Sequence, residues 1–364
     1  MSAENPYRSL PDKAFWRRSV AGVPPATVDP VGEFRLRIDA KTRVATAGSC
    51  FAQHIARKLQ QTGLNYYVSE TGHPILPEDV REKNGYRLFS ARYGNIYTAR
   101  QLIQLMQRAY GQFEPVETVW RHPDGSYRDP FRPTVQPGGF ISETELKKDR
   151  IQHLAAVRDM FETLDVFVFT LGLTECWRHK TDGAVFPLCP GVEGGDFDPK
   201  LHEFYNQTSD EVIADMAAFF QALRSVNRNA KVILTVSPVP LIATAEPGAH
   251  VLQATCYSKA VLRVAAEMLT KNFDHVHYFP SFEIITGAFN RGRYYGDDLR
   301  NVTEPGVEHA MRVFLSHAAG ISSAEPEREL AQTAASADDT FLTEAEAIVD
   351  VECDELYLEK AANR

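Results

Sequence analysis

The sequence has 364 residues, of which 44% are hydrophobic and 24% charged, a composition that suits a globular protein with one large or two modest cores. Its net charge of −9 comes from residues 321–364, whose 12 acidic and 3 basic residues leave 36 of the 48 acidic and 36 of the 39 basic residues for the rest. Neither part carries the basic patch of a nucleic-acid-binding protein, so we expect no nucleic-acid partner.

The first residues, 1–12, are polar and lack the pattern of a secretory signal, and no segment approaches the roughly 20 apolar residues of a membrane span. Five scattered cysteines without a C-x-x-C pair indicate neither a disulfide framework nor a zinc site. We therefore expect reduced thiols, a cytoplasmic location and no membrane span.

Composition divides the chain into three parts. Residues 1–40 are rich in proline and charge and are expected to pack as an arm on the domain of residues 41–320. Residues 321–364 are expected to be an acidic, flexible tail. The tail is either a solubilising extension or a docking segment that binds a protein partner through Leu356 and Tyr357.

Hydrophobic periodicity in the domain predicts helices and strands in alternation. The predicted strands are residues 44–47, 164–170, 232–236 and 276–279, and the predicted helices begin near residues 51, 98, 142, 209 and 257. This alternation predicts an α/β fold, a three-layer αβα sandwich with a parallel sheet. Ligands of such sheets bind outside the carboxyl ends of the strands, so the residues that follow each strand are the candidates for a site.

The strongest motif is Ala-Gly-Ser-Cys-Phe-Ala at residues 47–52, between the first strand and the first helix. A nucleophile in such a turn is exposed at the sheet edge and faces the unpaired N–H groups of the helix, which can hold an oxyanion. In the alternative interpretation, Gly48 makes a tight turn, Ser49 caps the helix and Cys50 is a small core residue.

Gly-Ser-Cys-Phe-Ala at residues 48–52 resembles the string that names the GSCFA family, and further similar blocks extend over about residues 40–315. The family resembles the SGNH (GDSL-type) hydrolases, which have a flavodoxin-like sheet and act on esters and acyl groups, often of carbohydrates. The further blocks are residues 94–102, 170–175, 237–240, 258–259, 280–283 and 297–300.

The resemblance implies a role for each block. Ser49 would be the nucleophile, the N–H of Gly94 would face the oxyanion, and Asn95 would lie beside it. Gly172, Thr174 and Glu175 stand in the third block, where Thr174 replaces the expected asparagine. Threonine offers a single donor on a shorter side chain.

Two roles stay open. An ungapped alignment puts Cys50 at the nucleophile position, and a thiol near a helix N-terminus depends less on a base. The last block, Asp-x-x-His, reads Asp298-Leu299-Arg300-Asn301 here, so the expected base is absent. His309, close to Asp298 in sequence, or His54 in the first helix would have to replace it.

Ser258, Lys259 and Arg300 could bind an anionic group of a substrate, or Ser258 could be a helix cap beside a solvated lysine. Asp297 and Asp298 have no ligand cluster beside them, and no phosphate-binding glycine motif is present, so we expect no metal and no cofactor.

These motifs predict an SGNH-like ester hydrolase or acyltransferase that forms an acyl-enzyme on a small ester or an acylated glycan-type substrate. The alternative is a non-catalytic module that binds a ligand or a partner and retains the fold.

Overall fold

The computed structural model describes residues 5–321 and 354–362. Contacts between Cα atoms divide it into two units. We call residues 38–278 with 354–362 the sheet unit, and residues 5–37 with 279–321 the helical unit. The expected domain of residues 41–320 thus contributes to both units, and the described part of the expected arm lies in the helical unit up to residue 37 and in the sheet unit from residue 38.

The sheet unit contains a parallel four-stranded sheet, which confirms the predicted α/β class. Its strands are β1 (Val44–Gly48), β4 (Val166–Leu171), β8 (Lys231–Val236) and β9 (Val276–Tyr278), in the order β1-β4-β8-β9. Residues 48, 170 and 235 lie side by side in register, so these strands end at one edge. Every residue of β4 is buried, as its β-branched and aromatic sequence predicts.

Helices flank this sheet along the chain. They are α1 (Phe51–Gln61), α2 (Glu78–Lys83), α3 (Ala99–Ala109), α4 (Glu143–Thr163), α5 (Ser209–Val226) and α6 (Val251–Asn272). Capping boxes, Thr98 with Gln101 and Thr208 with Glu211, fix the starts of α3 and α5. Helix α6 begins before the expected Tyr257, because the His250 side chain accepts the Leu252 N–H and caps it there.

Two small antiparallel sheets of the sheet unit were not expected. Strands β2 (Trp120–Arg121) and β3 (Tyr127–Arg128) form a hairpin. Strands β6 (Val185–Phe186), β5 (Glu175–His179) and β7 (His202–Asn206) form a second sheet in that order. Strand β5 starts at Glu175, in the third block of the resemblance. This small sheet is therefore directly connected to the candidate site.

The helical unit consists of short helical turns before residue 28, helix α7 (Ser281–Thr286), a turn at Ala288–Asn290 and helix α8 (Glu304–Ala319). Phe279 packs edge-on against Phe314 of α8, with 5.1 Å between ring centroids. Gly320 ends α8 in the left-handed conformation, with φ of +65°.

The end of the chain differs from the expected flexible tail. Helix α9 (Leu356–Ala362) follows Asp354 and Glu355, and both acidic residues are buried. This corrects the expectation for residues 354–362, while residues 322–353 lie outside the described part. In the described ranges, no helix is both long and apolar enough to cross a bilayer.

Candidate functional site

The motif turn sits between β1 and α1, where Gly48 has a φ of +139°. A Cβ atom on Gly48 would come within 2.4 Å of the Thr170 carbonyl oxygen on the neighbouring strand. Backbone conformation and close strand packing therefore both require glycine here. The Ser49 N–H then bonds to that same carbonyl at 3.3 Å, which fixes the residue after the turn.

Ser49 lies at the carboxyl end of β1, but it is only 3% exposed, so the expected exposure at the sheet edge is not found. Among the described residues, its Oγ has no hydrogen-bond partner. The Thr170 Oγ1 on the adjacent strand is likewise buried without a partner. Unsatisfied buried hydroxyls are rare in native proteins and call for an explanation.

Residues 94–97 cross the ends of β1 and β4 and hold them together. The Ile96 N–H donates to the Gly48 carbonyl at 2.9 Å. The Tyr97 carbonyl accepts the N–H groups of Gly172 at 3.1 Å and Leu173 at 2.9 Å. The first three blocks of the resemblance thus meet at one edge of the sheet.

Gly94 supplies a donor at this edge. Its φ is +69°, and no atom lies within 4 Å of where a Cβ would stand. Within the described ranges its N–H donates to no protein acceptor. Its expected role as an oxyanion donor stays a prediction, whereas the Gly172 N–H is engaged by Tyr97.

Thr174 and its neighbours use their polar groups in the fold. The Thr174 hydroxyl donates to Asn206 Oδ1 at 2.7 Å, and its N–H donates to Ser258 Oγ at 3.0 Å. Since both donors have acceptors, Thr174 does not serve as an oxyanion ligand in this arrangement. Glu175 accepts from the Thr244 hydroxyl at 2.7 Å, and burial raises the pKa of its carboxyl.

Lys259 was expected either to bind an anion or to be solvated. Its side chain is buried, and Nζ donates to the Gly172 carbonyl at 2.7 Å. Ser258 is not the N-cap of α6, since that position belongs to His250. Through their hydrogen bonds, the side chains of Ser258 and Lys259 stabilise the turn that follows β4.

Cys50 directly precedes helix α1, and His54 lies in the first turn of that helix. Cys50 is only 5% exposed and forms no disulfide. Burial, followed by the charges of Arg57 and Lys58, lowers the pKa of His54 to about 3. His54 is thus a neutral imidazole and a weak base at neutral pH.

The last block lies in the helical unit, where the Asp298 carboxylate accepts hydrogen bonds within the turn that it begins. Its Oδ1 accepts the N–H groups of Arg300 at 3.0 Å and Asn301 at 2.9 Å. Asn301, in the expected histidine place, donates its Nδ2 to Asp298 Oδ2 at 2.6 Å. A self-contained turn explains these polar groups, including the left-handed Leu299.

His309 is also engaged within the helical unit. Its Nδ1 lies 2.7 Å from the Tyr294 hydroxyl, and its Nε2 lies 2.8 Å from the Val28 carbonyl. The carbonyl only accepts, so Nε2 carries the proton and Nδ1 accepts from Tyr294. Burial, with the nearby Arg312, lowers the pKa of His309 to about 4. Both ring nitrogens have partners, which argues against the expected role as base.

Sequence reasoning missed a buried pair in the sheet unit, Glu70 and His153. His153 Nδ1 lies 2.8 Å from Glu70 Oε2. Burial alone would raise the pKa of Glu70, but His153 and Arg132 outweigh it and lower the pKa to about 2. The ionised carboxylate can only accept, so Nδ1 carries the proton of His153. The long sequence separation gave no signal.

His153 lines a cavity of about 20 Å³ together with Arg108, Arg132 and Asn95. Neither His153 Nε2 nor Arg108 Nη2 has a hydrogen-bond partner in the described ranges. Burial, with the charges of Arg150 and Arg132, lowers the pKa of Arg108 to about 9, so it is still cationic at neutral pH.

One cluster has the composition of a metal site. Glu117, His179 and His202 place ligand atoms within 4.8 Å of one another. However, His202 Nδ1 accepts the Asp198 N–H at 3.1 Å, so Nε2 carries the proton and donates to Glu117 at 2.8 Å. A metal on Nε2 would have to displace that proton and the bond. Hydrogen bonding therefore accounts for the contact between Glu117 and His202.

These features define an α/β protein whose motif turn and two glycine-containing segments meet at the carboxyl edge of a parallel sheet. The chain belongs to the GSCFA family, which it matches over residues 43–314. The resemblance of the sequence to the GSCFA family is thereby confirmed. No curated protein matches the sequence.

Proposed function

We propose that the protein is an SGNH-like ester hydrolase or acyltransferase, with a flavodoxin-like three-layer sandwich, that forms an acyl-enzyme at Ser49 or Cys50. The observation that carries the proposal is the buried Ser49 hydroxyl without a partner, at the strand end where the first three blocks meet. Such a group costs stability, which a reactive role would explain.

In the proposed reaction, the nucleophile attacks the ester carbonyl carbon, and the carbonyl π electrons move to oxygen. The Gly94 N–H stabilises that oxyanion, since it has no other acceptor in the described ranges. When the intermediate collapses, the alcohol leaves with the proton from the nucleophile. Water or a second hydroxyl then takes the acyl group.

The substrate class we propose is a small ester or an acylated glycan-type molecule, by analogy with the SGNH hydrolases. The site needs no cofactor for this chemistry. We also propose a cytoplasmic location, in keeping with four described cysteines that form no disulfide.

A fluorophosphonate probe and iodoacetamide, followed by mass mapping, test the nucleophile. We expect the fluorophosphonate to label Ser49, or iodoacetamide to label Cys50, and Ser49→Ala or Cys50→Ala to abolish aryl acetate turnover. Ser225→Ala, on the exposed surface of α5, is the matched control. Unmodified residues 49 and 50, with undiminished turnover in both variants, would refute the proposal.

A second candidate is a non-catalytic binding module. It is favoured by the engagement of His309 and Thr174 in internal bonds, which leaves them unsuited to act as base and oxyanion ligand. This candidate predicts saturable binding of an acylated sugar without turnover, unaffected by Ser49→Ala.

A further inference from the structure

The last described residues return to the candidate site of the sheet unit. Asp354 Oδ2 accepts from Asn95 Nδ2 at 3.1 Å, and Asp354 Oδ1 accepts from the Thr134 hydroxyl at 2.5 Å. Asn95 is the residue after Gly94, and Gln53 of helix α1 donates to its Oδ1 at 3.3 Å. A carboxylate from the far end of the chain thus lies beside the predicted oxyanion donor.

Two acidic side chains are buried at this contact, since Asp354 is 6% exposed and Glu355 is 5% exposed. Burying a carboxylate is costly unless donors or positive charge compensate it. Asn95 and Thr134 provide donors to both oxygens of Asp354. The contact is therefore built for a carboxylate and not for an apolar residue.

The surroundings also favour a negative charge. Asn95 lines the same cavity as Arg108 and Arg132. Among the described residues, the cluster of charged side chains to which they belong has four arginines and three carboxylates. Its members are Arg92, Arg108, Arg132, Arg150, Glu70, Asp129 and Asp149. At low effective dielectric, the unbalanced positive charge attracts a further carboxylate.

Backbone hydrogen bonds hold Asp354 and Glu355 at the start of helix α9. The Tyr357 N–H donates to the Asp354 carbonyl at 3.1 Å, and the Leu358 N–H donates to the Glu355 carbonyl at 2.9 Å. These bonds open helix α9 directly after the buried acids. The segment is thus ordered as a turn followed by a helix.

We propose that Asn95 and Thr134 form a carboxylate-binding site, which the chain's own segment of residues 354–362 fills as an intramolecular ligand. An acidic peptide of the same sequence competes for the site. This binding goes beyond the proposed catalysis and needs no reaction at Ser49. In the acyl-transfer scheme, the segment would stand beside Gly94 and limit access to it.

The test uses the full-length protein and a fluorescent peptide with the sequence of residues 354–364. In the wild type, the chain's own segment occupies the carboxylate-binding site at a high effective concentration. The free peptide therefore binds the wild-type protein weakly. In Asp354→Lys the segment is repelled from the arginines, and we expect the peptide to bind about tenfold more tightly or better. A scrambled peptide of equal charge should bind neither protein.

Hydrogen exchange provides a second measurement, also without substrate. We expect Asp354→Lys, and to a lesser extent Asp354→Asn, to increase exchange at residues 356–362 and at residues 93–97. Lys360→Gln, at an exposed position of α9, is the matched control and should exchange as the wild type does.

Equal peptide affinity for the wild type and Asp354→Lys, or unchanged exchange in both segments, would overturn the proposal. Loss of peptide binding on adding Asn95→Ala to Asp354→Lys would support it, and retained binding would refute it. Because both measurements omit substrate, they are independent of whether Ser49 is a nucleophile.

Discussion

Gly172 lies directly against Ser49. A Cβ atom on Gly172 would come within 2.9 Å of the Ser49 Cβ and 3.0 Å of the Tyr97 carbonyl oxygen. The absence of a side chain at residue 172 is therefore what allows the turn after β4 to close over the motif serine. The same packing buries Ser49 and brings the third block next to the first.

Gly172→Ala should destabilise the protein because the added methyl group overpacks this contact. We expect the free energy of unfolding to fall by about 1–3 kcal/mol. Denaturant unfolding measures the change. Gly32→Ala is the control, since no atom lies within 4 Å of its Cβ position and its φ is not positive. A Gly172→Ala protein as stable as Gly32→Ala would show that the close contact is absent.

Ser49→Ala should not destabilise the protein. It removes a buried hydroxyl without a partner, so the free energy of unfolding should stay constant or rise by up to about 1 kcal/mol. Denaturant unfolding with Ser225→Ala as the reference tests this. A loss of stability larger than in the reference would mean that the hydroxyl makes a bond in solution.

His309 should make stability depend on pH. Its folded pKa, about 4, is below the unfolded value, so the unfolded chain binds the proton more readily. The contribution of His309 to the free energy of unfolding is therefore complete above about pH 6.5 and is lost as the pH falls toward 4. The loss amounts to about 3 kcal/mol at most. His309→Gln should flatten unfolding curves in this window while leaving ester turnover intact. If the free energy of unfolding of His309→Gln depended on pH as that of the wild type does, the low pKa of His309 would be contradicted.

Glu70 should contribute in a more acidic window. Its folded pKa, about 2, is below the ordinary glutamate value, so its stabilisation is complete above about pH 4.5 and is lost as pH falls toward 2. Glu70→Gln should reduce the acid sensitivity of unfolding in that range. The control Glu78→Gln removes an exposed carboxylate. Equal acid sensitivity in both variants would count against the buried pair.

Glu117 should act through hydrogen bonds and not through a metal. It accepts from Trp120 Nε1 at 2.5 Å and from His202 Nε2 at 2.8 Å. Glu117→Ala should therefore lower the free energy of unfolding by about 2 kcal/mol. Added zinc or a chelator should leave the Tm of the wild type unchanged, and a zinc-dependent rise in Tm would contradict this.

The regular elements could be predicted because their signals are local. Helix α5 begins at Ser209, where hydrophobic periodicity predicts a helix to begin. Strands β4 and β8 are apolar runs that only a buried position explains. The sheet of β5, β6 and β7 escaped prediction, since it depends on distant pairs such as Trp177 with Phe204.

The candidate site was predictable only in part. Sequence similarity indicated which blocks would meet, and residues 48, 94–97 and 172 do lie together. It could not show that Thr174 donates to Asn206 or that both nitrogens of His309 are engaged, because these bonds depend on tertiary distances. Nor did it reveal the buried Glu70–His153 pair.

The Asp354 contact also bears on the order of folding. Asp354 is separated from Asn95 by 259 residues and from Thr134 by 220. Contacts so distant in sequence close late, and a growing chain makes its N-terminal part first. Asn95 and Thr134 are thus synthesised long before their carboxylate, so this contact forms only after residue 354 has been added to the growing chain.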